Sequence, residues 1–173
     1  MGTEIERKYL VKTEKWRSHL QELLQNSPEI GAKYCQGYIP TDNGTTVRLR
    51  TVGSQGYLTI KSKTEGYTRS EFEYPIPVQD ARQMLETLCL KPLIEKIRYT
   101  INYGNLTWEV DDFLGENKGL IVAEVELENE NQAIDIPRWI DREVNDIKYF
   151  NSSLIKYPYS QWKKNEKYQA TDN

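Results

Sequence analysis

Glu4, Glu6 and Lys8 stand two residues apart in the run Glu4-Ile5-Glu6-Arg7-Lys8-Tyr9. On a β-strand alternate side chains share a face, so the two carboxylates and the amine point the same way while Ile5, Tyr9 and Val11 point the other. The pattern recurs along the chain. Arg48 and Arg50, Lys61 and Lys63, Glu71 and Glu73, Lys96 and Arg98, Glu109 and Asp111, and Glu124 and Glu126 are all two apart, with apolar residues between or beside them. A solvated sheet is the ordinary reading of any one such strand. Wet faces, however, normally set opposite charges across from each other. Here same-sign pairs repeat within strands, and like charges so placed repel. Their repetition points to bound counter-charge of both signs. Hard divalent cations take carboxylate oxygens, and Mg²⁺ commonly bridges a few carboxylates to substrate phosphates. Arginine and lysine bind phosphate oxygens, arginine often through two nitrogens. A linear polyphosphate carrying one or two divalent cations would neutralise both sets.

About eight strands must carry these residues, a number that can close a small antiparallel barrel. They are expected near Thr3–Val11, Ala32–Ile39, Thr45–Val52, Gly56–Lys63, Arg69–Ile76, Ile94–Asn102, Leu106–Phe113 and Leu120–Leu127. Asp42-Asn43-Gly44, Gly53-Ser54-Gln55-Gly56 and Tyr103-Gly104-Asn105 supply turn signals between them. Thr13 is the expected N-cap of a helix bearing Trp16, Leu20, Leu23 and Leu24 at helical spacing. A second helix is expected from Val78 to Leu88, after Pro77. Beyond Ile134 the chain is expected to turn helical, with Trp139, Ile140 and Val144 as its apolar stripe. The tail from Pro158 is polar, and its last ~10 residues should fray. The fold class is therefore α+β: a closed eight-stranded antiparallel barrel with the charged face inside, helices packed outside and a C-terminal helical segment. Confining that many charges requires pairing, solvation or a ligand.

The 173 residues, 28% charged and 38% hydrophobic, suit one domain spanning residues 1–173. A net charge of -3, with basic residues dispersed among strands, argues against nucleic acid as a partner. No apolar run approaches the roughly 20 residues that span a bilayer, so a membrane partner is not expected. The N-terminus enters a charged strand without a secretory leader. Cys35 and Cys89 are isolated, without metal-type spacing, and read as reduced thiols. Together these features predict a cytoplasmic protein. His19, the lone histidine, lies among Trp16, Leu20 and Leu23 and reads as a packing residue.

Glu4-Ile5-Glu6-Arg7-Lys8 resembles the Glu-x-Glu-x-Lys signature of the CYTH family, the triphosphate tunnel metalloenzymes. The resemblance continues in order through Thr46-Val47-Arg48-Leu49-Arg50, Leu58-Thr59-Ile60-Lys61, Ile94-Glu95-Lys96-Ile97-Arg98-Tyr99, Trp108-Glu109-Val110-Asp111-Asp112-Phe113 and Ala123-Glu124-Val125-Glu126-Leu127. It ends at Tyr149-Phe150-Asn151-Ser152-Ser153-Leu154 and so covers nearly the whole chain. The run Glu143-Val144-Asn145-Asp146-Ile147-Lys148-Tyr149 departs from the family pattern at Asn145 and Lys148, near one end of the expected tunnel.

The resemblance implies that Glu4, Glu6 and Glu126 bind a first metal, while Asp111 and Glu124 help bind a second. The ions would be Mg²⁺ or Mn²⁺. It also implies phosphate contacts from Lys8, Arg48, Arg50, Lys61 and Arg98, with Lys63 and Lys96 as further members. Glu4, Glu6, Lys8, Lys96 and Glu124 form the catalytic set, the proton going to a glutamate or a lysine of the wall. Glu71, Glu73, Glu109 and Glu128 are inward candidates for pairing with cations. The implied reaction is hydrolysis of inorganic triphosphate to pyrophosphate and phosphate. Thiamine-triphosphate hydrolysis and adenylate cyclisation are the alternatives within the family, and a non-catalytic polyphosphate-binding module is the alternative outside enzymes. The oligomeric state is open between monomer and homodimer.

Overall fold

The computed structural model describes residues 5–42, 44–63, 70–129 and 131–167. Its strands are β1 (Ile5–Val11), β2 (Gly31–Ile39), β3 (Thr46–Val52), β4 (Gln55–Lys61), β5 (Glu71–Ile76), β6 (Ile94–Tyr103), β7 (Leu106–Phe113), β8 (Ile121–Leu127) and β9 (Ile140–Val144). They form one sheet in the order β5-β4-β3-β2-β6-β7-β8-β1-β9, and the paired strands run antiparallel.

Two expectations fail here. The described sheet has nine strands, and it does not close into a barrel. Both failures have one cause. Closure of the other eight would bring β5 against the free edge of β1, but β9 takes that edge, pairing Lys8 with Val144 and Leu10 with Arg142. β5 is also poorly suited to close a sheet, because Pro75 has no backbone N–H to donate. The ninth strand was misread as helix because Ile140 and Val144, four apart, fit both periods. Over five residues the two periods cannot be told apart.

The outer face is apolar and covered by two helices. α1 (Thr13–Asn26) sets Trp16 and Leu20 against Tyr9, Tyr99, Trp108 and Val110. α2 (Val78–Thr87) sets Leu85 against Leu49, with Leu58 and Ile76 at the margin. The α1 N-cap is Lys12; Thr13 lies inside the first turn and makes no capping hydrogen bond.

The inner face is not charged throughout. Leu10, Ile94, Phe113 and Val122 stand two residues from Lys8, Lys96, Asp111 and Glu124, on the same face of their strands. They are buried in a second core with Tyr149, Leu154, Ile155, Tyr159 and Trp162. The C-terminal segment, with its short helix α3 (Asn151–Lys156), therefore covers one end of the charged face. The expectation of a wholly polar tail from Pro158 is corrected: Tyr159 and Trp162 are core residues. Asn117 anchors this segment, its Oδ1 accepting a hydrogen bond from the Tyr159 amide at 2.8 Å. Among the described residues no helix is long and apolar enough to cross a membrane.

Candidate active site

Alternation along the strands gathers the inward charged residues around one cavity of about 1050 Å³. Glu6 and Lys8 from β1, Arg48 and Arg50 from β3, Lys61 from β4, and Glu71 and Glu73 from β5 all line it. Lys96 and Arg98 from β6, Glu109 from β7, Glu124 and Glu126 from β8, and Glu128 just beyond that strand complete the charged lining. Of the residues singled out in the sequence, Glu4 lies outside the described residues. Lys63 is exposed beyond the end of β4 and does not line the cavity. Asp111 is fully buried behind it.

The deepest part is an ion-pair network. Arg98 donates through Nε to Asp111 Oδ1 at 2.7 Å and through Nη2 to Asp111 Oδ2 at 2.7 Å. The same Nη2 reaches Glu124 Oε2 at 3.0 Å, and Nη1 donates to Glu109. Lys96 Nζ donates to Asp111 Oδ2 at 2.5 Å. Lys8 Nζ donates to Glu124 and, at 3.1 Å, to Glu6 Oε1. Burial opposes the negative charge of Glu124, but Lys8, Lys96 and Arg98 outweigh it and hold the carboxyl at about 2. Glu6 moves the other way: burial and the nearby Glu124 carboxylate raise it, and Lys8 only partly offsets them. Burial lowers the Lys96 ammonium despite Asp111. Lys8 is raised, because Glu124 and Glu6 together overcome its desolvation.

This donor set suits a hard cation. Glu6 and Glu124 supply oxygen alone and repel each other, and Glu126 faces Glu6 across the β1–β8 ladder. Among the described residues no three carboxylate, histidine or cysteine side chains converge as a ready-made metal cluster. One or two carboxylates acting with substrate phosphates and water are a common donor set for a hard divalent ion.

Several lining residues went unnoticed in the sequence. Tyr34, Gln36 and Tyr38 of β2 face the cavity; Phe150, Asn151 and Ser152, from the family-like run at the start of α3, line it as well. Tyr34 is a hub: the charged ends of Arg50, Lys96 and Arg98 lie 5.8, 5.8 and 5.4 Å from its ring centre. Its signal was the alternation Tyr34-x-Gln36-x-Tyr38 opposite Cys35, Gly37 and Ile39. Phe150 lies 5.2 Å from Lys8 Nζ. Lys148, at the departure from the family pattern, does not line the cavity; its Nζ sits 4.7 Å from the Trp162 ring. His19 stacks on Trp139 under α1, away from the cavity. Cys35 and Cys89 are free thiols.

The CYTH domain pattern matches residues 2–156. The chain belongs to the CYTH family. It is 46% identical over 164 residues to an inorganic triphosphatase of Acetivibrio thermocellus, covering 94% of this chain and 99% of that protein. The crystal structure of the inorganic triphosphatase NE1496 superposes with a TM-score of 0.64 at 30% identity, covering 90% of this chain and 95% of the other. The PH1012 protein of Pyrococcus horikoshii shares the fold, with a TM-score of 0.50 at 17% identity over 74% of this chain and 80% of its own.

Proposed function

We propose that this CYTH protein hydrolyses inorganic triphosphate to pyrophosphate and orthophosphate in the charged cavity, assisted by a divalent cation, Mg²⁺ or Mn²⁺. The observation that carries this reading is the convergence of six cations, Lys8, Arg48, Arg50, Lys61, Lys96 and Arg98, with the carboxylates Glu6, Glu124 and Glu126 on one cavity. Orthophosphate would leave most of those cations unsatisfied, whereas a chain of phosphates spans them.

Phosphoryl transfer asks little covalent chemistry of a protein; it asks for positioning and for neutralisation of charge on the transferring group. Arg48, Arg50 and Lys61 hold one part of the phosphate chain, and Lys8, Lys96 and Arg98 the other. Glu6, Glu124 and Glu126 would hold the cation, and Glu4, which lies outside the described residues, is a further candidate from the sequence pattern. Asp111 sits behind Lys96 and Arg98 and orients both. A divalent ion in this position supplies charge neutralisation and a bound water of lowered pKa. A glutamate or a lysine of the cavity wall would take the proton that the attacking water loses.

The deciding experiment measures phosphate release from triphosphate, pyrophosphate, ATP and thiamine triphosphate, each with Mg²⁺, Mn²⁺ or chelator. The ATP and thiamine arms are needed because the cavity has room for an attached organic group. Metal-dependent turnover of inorganic triphosphate above the other substrates is expected. Binding without turnover of any of them would leave a polyphosphate-binding module.

A further inference from the structure

The three cations of β3 and β4 that face the cavity, Arg48, Arg50 and Lys61, are held by carboxylates of β5. Glu73, on β5, accepts from Arg50 Nη2 at 3.2 Å on each of its oxygens, from Arg48 Nη2 at 3.4 Å and from Thr59 Oγ1 at 2.8 Å. Two residues earlier Glu71 pairs with Lys61 at 2.8 Å. The match at Glu73 is incomplete. Each arginine reaches it through one terminal nitrogen only, and the Nε of both Arg48 and Arg50 is buried without a hydrogen-bond partner. Buried donors left unmade are costly. A carboxylate has two oxygens, whereas a phosphoryl group offers three and more charge, so it can engage donors that Glu73 leaves idle.

The strand that carries Glu73 is held by the sheet from one side. β5 is an edge strand paired only with β4, and its residues are exposed apart from Ile76 at its end. The Glu73 side chain keeps 36% of its surface open to solvent, while Arg48 and Arg50 keep 19% and 20%. Little apolar burial would be lost if the carboxylate swung away.

We propose that Glu73 is a displaceable internal counter-ion. In the free protein it occupies the phosphate place between Arg48 and Arg50, held there by the Thr59 hydroxyl. Substrate phosphoryl oxygens displace it, and it returns to help expel the product. The inference rests on the polyphosphate reading of the cavity, and it makes Glu73 a determinant of affinity and release rather than a catalytic residue. Its cost falls on every anion entering the Arg48–Arg50 place, so short, weakly charged products are retained less than they otherwise would be.

Glu73→Gln keeps the shape and removes the charge. Calorimetry with tripolyphosphate and with pyrophosphate, in Ca²⁺ to support binding with little turnover, reads the effect directly. Both anions should bind roughly two- to fivefold tighter, the scale of one partly exposed ion pair. In steady state with Mg²⁺, KM and kcat should fall together as release slows. Glu73→Asp, whose shorter chain withdraws the carboxylate, should shift affinity the same way by less. Unchanged or weaker binding in both variants would overturn the proposal, because a residue that merely positions the arginines would lose affinity when altered. If the unaltered protein neither bound nor hydrolysed tripolyphosphate, the functional reading itself would fail, a result separate from any change between variants.

Discussion

The two walls of the cavity hold their cations in different ways. On β1, β6, β7 and β8 the central charges are sunk into the protein, Lys96 being 1% exposed, Asp111 0% and Lys8 9%, while Glu6 and Glu109 stay open at the margin. There Lys8 and Arg98 each meet more than one carboxylate, and Asp111 binds Lys96 and Arg98 together. On β3, β4 and β5 the same kinds of residue pair at the rim, through carboxylates on a half-open edge strand. Burial makes the difference. A paired charge removed from water is destabilising to disturb, whereas an exposed pair is cheap to exchange. The deep wall is therefore built for fixed geometry and the rim wall for exchange of partners.

Arg98→Ala should break this contrast most severely. It leaves Asp111 and Glu124 short of a partner inside the protein, and the expected loss is about 3–5 kcal/mol of stability. Urea unfolding measures it; a loss under 1 kcal/mol would mean the deep wall is as exchangeable as the rim. Glu6→Gln comes next. It keeps the side chain's shape but removes a negative oxygen ligand, so turnover should fall on the order of 10²–10³-fold without loss of the folded state. Near-normal turnover at saturating Mg²⁺ or Mn²⁺ would remove Glu6 from the cation site. Arg50→Ala acts on the rim. It should weaken tripolyphosphate binding by about 1.5–3 kcal/mol, the scale of hydrogen bonds to charged groups, while shifting stability far less than Arg98→Ala. Titration in Ca²⁺ reports the first quantity and urea unfolding the second.

Acid titration sharpens the comparison at smaller amplitude. The folded value of Glu124, about 2, lies below its ordinary value of 4.5, so its stabilisation is complete above pH 4.5 and is lost as pH falls through 2. By pH 3 that linkage amounts to about 2 kcal/mol. Glu6, raised on folding, works in the opposite sense and trims the net change. Urea midpoints at pH 6 and pH 3 should differ in the parent and differ less in Glu124→Gln. An equal drop in both would place the acid sensitivity elsewhere.

Most of this contrast was out of reach in the sequence, although the faces were not. Period-two alternation placed Lys8, Arg48, Lys96 and Glu124 on one side because each strand carries the signal within itself. Which cations lie deep depends on neighbours far along the chain. Lys96 and Lys61 look alike locally, yet only Lys96 meets Asp111 beneath the Tyr34 ring. Closure failed for a similar reason: β9 comes from a five-residue segment whose period is ambiguous, and its pairing to β1 spans most of the chain. The apolar end of the inner face was visible as Leu10, Ile94, Phe113 and Val122, but nothing local said that the C-terminal segment would cover it. Tyr34 carries no charge, so the charge pattern does not single it out.

An open sheet leaves two strand edges facing outward, and such edges can recruit strands from other molecules. The β5 edge carries Phe72 and Tyr74, each 53% exposed, which would otherwise favour that recruitment. Pro75 interrupts its row of donors, and Glu71 and Glu73 put negative charge beside it. The β9 edge is only five residues long and places Asp141, Arg142 and Glu143 at its centre. The features that keep this sheet from closing on itself also make its two edges poor templates for strand pairing, and both effects fall on the same few residues.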